Sequence, residues 1–196
     1  VKLLCTKDLD DKNLVMLTKK GIIKRTLAQE FGNIRSTGIR AITLNESDEL
    51  VFCSLSSGQD TIVIATAKGQ GIRFKEEEVR AMGRQASGVI GIRLHEDDYV
   101  IGMEVLSDET QDILFATENG YGKRVKISDF RIAHRGGYGV RTIPTDNRNG
   151  QVIGLVVVGD NMDILLIDEH GKIIRLSSKE IRTLGRQAKG VRLIKL

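Results

Sequence analysis

The stretch Leu184 to Ile194, LGRQAKGVRLI, decides the fold, because Met82 to Ile92, MGRQASGVIGI, nearly copies it. Halfway between them lies Ala133 to Ile143, AHRGGYGVRTI, and upstream lies Asn33 to Ile42, NIRSTGIRAI. The stretches share Gly38, Gly88, Gly139 and Gly190 at intervals of about 50 residues, and Ile39, Val89, Val140 or Val191 follows each. A second register keeps the interval: TKKG ending at Gly21, TAKG at Gly69, TENG at Gly120 and DEHG at Gly171, each after an apolar run. A third register is Leu50 to Cys53, Val100 to Met103 and Val152 to Leu155, each after a polar turn.

Each unit reads as a short apolar strand, a Gly turn and a strand with basic residues. A loop of about 12–15 residues follows, then a strand opened by Gly, a turn and a final strand. Runs of Ile, Val, Leu and Thr bounded by Gly, Asn and Asp are strand signals. TAKGQGIRF and TENGYGKRV look like hairpins whose glycine supplies the positive φ that tight turns need. Helical periodicity is weak; KEEEVRAMG and SSKEIRTLG each hold one helical turn, with Ser178 as a candidate cap. Four strands per unit, repeated, is the arithmetic of propeller blades. A single blade cannot bury both faces of its sheet, whereas stacked neighbours can. The expected fold is all-β, an array of about four four-stranded antiparallel blades. The units are 11–57, 58–107, 108–159 and 160–196, with 1–10 a remnant of a preceding blade. A set of β-sandwich repeats is the alternative.

The chain has 196 residues, 40% of them hydrophobic and 29% charged, which fits a soluble globular protein. Twenty-one glycines beside one proline indicate tight turns rather than a disordered linker. Cys5 and Cys53 form neither a disulfide framework nor a C-x-x-C motif and fit a reducing compartment. No apolar run approaches the ~18–20 residues of a membrane span, no signal-peptide pattern is read at the start of the sequence, and Val1 is not an initiator Met. A cytoplasmic piece of a longer chain is expected.

The net charge is only +4, so the arrangement of the cations matters more than their number. The loops before the shared glycines carry Arg35 in unit one, Arg80 and Arg84 in unit two, and Arg131 and Arg135 in unit three. Unit four carries Arg182, Arg186 and Lys189. Arg84, Arg135 and Arg186 share one repeat position; Arg80, Arg131 and Arg182 share another. Such repetition predicts a row of guanidinium groups along one rim, suited to phosphates that arginine can grip with two hydrogen bonds. Gly83, Gly136, Gly137 and Gly185 would let backbone N–H groups approach a phosphate. Arg40, Arg141 and Arg192 follow the shared glycine, although unit two has Ile90 there. Lys24, Arg25, Arg73, Lys123, Arg124 and Arg175 follow the hairpin turns and join the candidate set. Glu76 to Glu78 and Glu180 interrupt the pattern and could pair with Arg80 or Arg182.

Other chemistry finds little support. There is no Walker phosphate loop. His95, His134 and His170 share no metal spacing with each other or with the cysteines, and no acidic cluster repeats as a magnesium site. Tyr121 reads as a turn residue, Tyr138 could lie against a sugar–phosphate, and neither these nor Tyr99 marks an active site.

ENGYGKR (Glu118 to Arg124), FKEEEVRAMGRQASGVIGIRL (Phe74 to Leu94) and IRTLGRQAKGVRLI (Ile181 to Ile194) resemble blade signatures of the C-terminal domain of DNA gyrase A, part of a type IIA topoisomerase. The resemblance spans essentially the whole chain. It implies a β-pinwheel, part of a six-bladed spiral whose basic perimeter wraps duplex DNA and supports negative supercoiling. The homologous domain of topoisomerase IV, which selects DNA geometry, is similar, with fewer and more degenerate blades. The family's gyrase box, Gln-Arg-Arg-Gly-Gly-Lys-Gly, lies in its first blade. Here the nearest stretch is in the third unit, and it matches at Arg135, Gly136, Gly137 and Gly139. Non-sequence-specific binding and bending is therefore the expectation for this piece. The resemblance places ATP and Mg elsewhere in the parent enzyme, with no cofactor in this chain. It implies duplex DNA, the remaining domains of gyrase A and the gyrase B protein as partners, no membrane, and a cytoplasmic location at the bacterial nucleoid. A propeller-type protein-interaction scaffold is the alternative of another class; 4% aromatic residues and no Trp count against it.

Overall fold

The computed structural model describes residues 2–33 and 35–196. In chain order the strands are β1 (Asn13–Thr18), β2 (Ile22–Leu27), β3 (Leu50–Ser56), β4 (Thr61–Thr66), β5 (Gln70–Lys75), β6 (Val89–Ile90) and β7 (Val100–Leu106). There follow β8 (Asp112–Thr117), β9 (Tyr121–Lys126), β10 (Val140–Arg141), β11 (Val152–Val158), β12 (Asp163–Ile167), β13 (Ile173–Ser177) and β14 (Val191–Arg192). They form antiparallel sheets in the orders β3-β1-β2-β6, β10-β5-β4-β7 and β11-β8-β9-β14, with β12-β13 as a two-stranded fourth.

Two features differ from the sequence expectation. The strand opened by the shared glycine does not stay with its own unit. It closes the sheet of the unit before it: Val89 pairs with Ile23, Val140 with Gly71 and Val191 with Gly122. The loop leading to it is already tied back, Met82 N–H to the Arg25 carbonyl, Ala133 to Arg73 and Leu184 to Arg124, all at 2.8 Å. Consecutive units are therefore interlocked by a donated strand. The fourth sheet is only a hairpin. In the others the third strand starts at the interval from Asn13 to Leu50, Thr61 to Val100 or Asp112 to Val152, and the same interval from Asp163 runs past Leu196.

Alternation of side chains explains the core. Ile62 and Ile64 face one way and join Val15, Leu17 and Ile23. Val63 and Ala65 face the other way and join Ile113, Phe115 and Val125. Leu114 joins Val158, Ile164, Ile181 and Leu193 in the next layer. Every residue of β4 is buried, since a sheet covered on both faces has no solvent side. Each such Ile or Val contributes about 1.5–3 kcal/mol by leaving water.

Short 3-10 turns, Ala28–Phe31, Glu76–Glu78, Ile127–Asp129 and Ser178–Glu180, follow the second strand of each hairpin. Ser178 lies inside its turn rather than capping it, and its Oγ accepts the Met162 N–H at 3.2 Å. A half-buried polar tie also recurs: Asp48 Oδ1 accepts the Lys20 N–H at 3.0 Å and Asp98 Oδ1 that of Lys68 at 2.9 Å. In the third unit the Asn149 carbonyl accepts Asn119 N–H at 3.1 Å. Among the described residues no helix is long and apolar enough to cross a membrane.

Candidate nucleic-acid interface

The donated strands β6, β10 and β14 each form one edge of a sheet. The arginine-bearing loops precede these strands, so the repeat carries them to the same edge of successive blades. Arg80, Arg131 and Arg182 emerge just after the 3-10 turns and are exposed; Arg141 and Arg192 are exposed on the edge strands themselves. Arg35, Arg40 and Lys189 are exposed, and Arg84, Arg135 and Arg186 are half-buried.

The loops touch one another along this edge. Gly136 N–H donates to the Gly91 carbonyl at 2.7 Å, and Arg93 donates from its N–H to Gly137 O at 2.8 Å and from Nε to Gly136 O at 2.9 Å. A cleft lined by Arg131, His134 and Tyr138 also contains Arg186 of the following unit. A second cleft places Arg186 beside Arg141. Arginines of the third and fourth units, Arg131, Arg141 and Arg186, thus line shared clefts. Among the described residues, Arg80, Arg84, Arg131, Arg141, Arg182, Arg186 and Arg192 make no ion pair. Lys189 is paired with Asp146, whose carboxyl it holds below the usual range.

A family model described as "DNA gyrase C-terminal domain, beta-propeller" matches residues 12–57, 60–107, 111–159 and 163–196. The chain belongs to this gyrase C-terminal domain family. The DNA gyrase A subunit of Staphylococcus aureus (strain MRSA252) is 42% identical over 197 residues, covering 99% of this chain and 22% of the relative. The chain thus spans 22% of the length of such curated relatives. A solved C-terminal domain of DNA topoisomerase IV matches with a TM-score of 0.90 at 26% identity, over 97% of this chain and 60% of that one. A DNA gyrase A C-terminal domain matches at 0.87 and 27%, over 97% and 64%. The fold is the β-pinwheel.

Within this gyrase-family edge, several cations expected at the surface lie elsewhere. Lys24, Arg73, Lys123 and Arg124 are buried, and Arg25 nearly so. Each holds backbone or carboxylate oxygens left by the neighbouring unit. Arg73 donates to the Ile127 and Phe130 carbonyls at 3.0 and 2.9 Å and pairs with Glu109. Arg25 reaches the Gly58 carbonyl at 3.3 Å and lies 3.8 Å from Glu76. Arg124 contacts Asp112 and Asp160, both at 2.7 Å, and these carboxylates hold its guanidinium firmly protonated. A strand covered by neighbouring sheets on both faces has no outward face for a cation. Arg175 is exposed but paired with Asp163.

The gyrase-box-like loop is also more structural than its sequence suggests. Arg135 donates from Nε to the Glu78 carbonyl and from Nη1 to the Ile90 carbonyl, both at 3.0 Å. Its guanidinium therefore staples this loop to the previous unit. Gly139, at φ 73°, lies against the Gly71 carbonyl, where no larger residue fits.

Two groups were not singled out from sequence. The Arg148 guanidinium stands 4.3 Å from the centroid of the Tyr121 ring, and that of Arg192 5.3 Å. Arg192 Nη2 also donates to Tyr121 Oη at 2.7 Å. Arg192, then Arg148, hold this phenol below its ordinary pKa. Arg148 escapes the repeat because its counterparts are Ser47 and Asp97; the usable signal was Tyr121 itself, an aromatic beside a turn glycine. Arg93 was missed because two of its three counterparts, Thr43 and Pro144, are uncharged; the third is Lys195. Among the described residues no group of three or more His, Cys, Asp or Glu could hold a metal ion.

Proposed function

We propose that this chain binds duplex DNA without sequence preference along the β6–β10–β14 edge, and bends it as the C-terminal domain of a gyrase A protein. The observation that carries the reading is the band of arginines without acidic partners at that edge, beginning with Arg80, Arg131 and Arg182. Arginine suits the task because its planar fork meets a phosphate bidentately and never loses its charge. The loops are tied to each other through backbone hydrogen bonds, so little entropy is lost when phosphates dock. Phosphate contacts fix the position of a duplex without reading bases, and blades rotated about a common array would lead it along a curve. Bent DNA handed to the rest of gyrase A and to gyrase B, where ATP and Mg would act, would support negative supercoiling. The working location would be the bacterial nucleoid.

The test is a fluorescence titration of a duplex at several salt concentrations. With about 6–10 phosphate contacts, affinity drops roughly 10³–10⁵-fold between 50 and 200 mM salt. Arg80→Glu, Arg131→Glu and Arg182→Glu together abolish binding while the melting curve stays in place. Wild-type affinity in the triple variant sinks the proposal. The TM-score of 0.90 to a topoisomerase IV domain favours a second reading, in which the same edge selects DNA geometry in that enzyme. A topology assay on the parent enzyme separates the two by scoring negative supercoiling against relaxation alone.

A further inference from the structure

We infer that Lys24 and Lys123 are positioning residues: from inside one blade, each fixes the loop through which the next unit presents Arg84 or Arg186 to a phosphate diester. The inference rests on the proposed DNA reading and deepens it. Lys123 is fully buried on β9, and its ammonium donates to the Gly185 and Ala188 carbonyls at 2.8 Å and to the Arg186 carbonyl. Three N–H bonds meet three carbonyls, which satisfies the ammonium completely and offsets the cost of taking it out of water. Lys24, equally buried on β2, donates to Ala41 O at 2.6 Å and to the Arg84 carbonyl. In both blades the lysine holds the backbone of the arginine whose side chain is left free of ion pairs.

The second blade supplies the contrast. Ile72 occupies this position on β5, and the loop it faces is His134-Arg135-Gly136-Gly137, not Gly-Arg-Gln-Ala. That loop is held from outside by Arg93 and by its own Arg135. Lysine therefore goes with the Gly-Arg-Gln-Ala loop, and isoleucine with the loop whose arginine is engaged by the Glu78 and Ile90 carbonyls. A carboxylate adds a second anchor in the first two blades: Glu30 Oε2 accepts the Arg84 N–H at 3.2 Å and Glu78 Oε2 that of Arg135 at 3.1 Å. The third blade has the shorter Asp129 there, so Lys123 carries more of the loop.

Burial, and then the Arg186 cation that faces it, push Lys123 down to about 8. Burial also lowers Lys24, with Glu30 opposing and Arg84 assisting. A phosphate docked on Arg186 cancels the cation facing Lys123 and strengthens its hold on the proton. The complex then binds more protons than the free protein, and affinity falls as pH rises through about 8.

Duplex titrations of Lys123→Met, Arg186→Gln and the double variant test this, in salt series and from about pH 7 to 9.5. The expected results are a three- to thirtyfold loss in each single variant, a salt slope lower by about one, and no further loss in the double. The fall in affinity above pH 8 disappears in Lys123→Met. If Lys123→Met lowers the melting temperature too far to assay, Lys24→Met with Arg84→Gln gives the same non-additivity at smaller amplitude. Wild-type affinity in Lys123→Met, additive losses, or a flat wild-type pH profile overturns the inference while leaving DNA binding intact. A wild-type chain that binds no duplex overturns the proposed function instead.

Discussion

Arg124 and Arg175 occupy the same place in successive hairpins, β8–β9 and β12–β13, and their surroundings are opposite. The Arg124 side chain is 11% exposed and reaches Asp112, Asp160 and, at 3.1 Å, the Ser178 carbonyl. The Arg175 side chain is 71% exposed and pairs, among the described residues, with Asp163 of its own hairpin. The apolar residues divide in the same way: Leu114 is 2% exposed, but its counterpart Leu165 is 59%. Ser178, and the Thr183 that bridges to Arg124, belong to the following unit. Burial in this array is therefore a property of neighbouring pairs. A repeat position acquires its role from what stacks on it, as expected for a linear chain of coupled units.

The largest expected difference in stability lies at the two arginines. Arg124→Met leaves Asp112 buried without its partner, which costs about 3–5 kcal/mol. For a chain of this length that lowers the melting temperature by roughly 6–20 °C. Arg175→Met leaves the melting curve where it was, because water already solvates both partners. Thermal and urea denaturation of the two variants measure the difference. Equal shifts would mean that the two hairpins are in fact equally covered.

The turn glycines give a smaller contrast at equal backbone geometry. Gly120 and Gly171 have φ of 78° and 79°. Alanine at either costs about 1–2 kcal/mol for the left-handed conformation alone. At Gly120 the new Cβ would also stand 2.5 Å from the Ile194 carbonyl oxygen, whereas at Gly171 nothing lies within 4 Å. Gly120→Ala is thus expected to lose about 2–4 kcal/mol in urea denaturation, and Gly171→Ala only the conformational part. A loss at Gly171 as large as that at Gly120 would show that the Ile194 carbonyl imposes no constraint at the turn.

These cases mark how far the sequence could be read. The repeat, the hairpins and the exposure of Arg80, Arg131 and Arg182 were legible, because glycine turns and apolar alternation are local signals. Strand donation was not, because Val89, Val140 and Val191 carry the same apolar signature whichever sheet they join. The fates of Lys24, Arg73, Lys123 and Arg124 were hidden for a related reason. Propensity places a cation on a strand, but only the next unit's carbonyls and carboxylates make it a buried tie. Arg135 misled in the same way: its repeat position matches Arg84 and Arg186, while its side chain answers to Glu78 and Ile90.

The finest contrast lies where the second strand of each hairpin begins, at Tyr121 and Lys172. Lys172 extends to the Lys195 carbonyl, but Tyr121 sits between two guanidinium groups that repel each other. Its phenol accepts from Arg192 and is held below its ordinary pKa by both cations. The two cations favour the phenolate, so this ionisation stabilises the folded chain only once the phenol loses its proton. Its contribution appears only as pH rises through the folded pKa. An ultraviolet titration should find one of the three tyrosines ionising early, and Arg192→Gln should return it toward the ordinary range. At neutral pH the ring acts as a platform: Tyr121→Phe keeps the π face but loses the Arg192 hydrogen bond. Its melting curve is expected to stay unchanged while duplex affinity falls by less than tenfold. A larger fall would make Tyr121 itself a contact to the nucleic acid, and no fall would mean that Arg192 finds its position without the phenol.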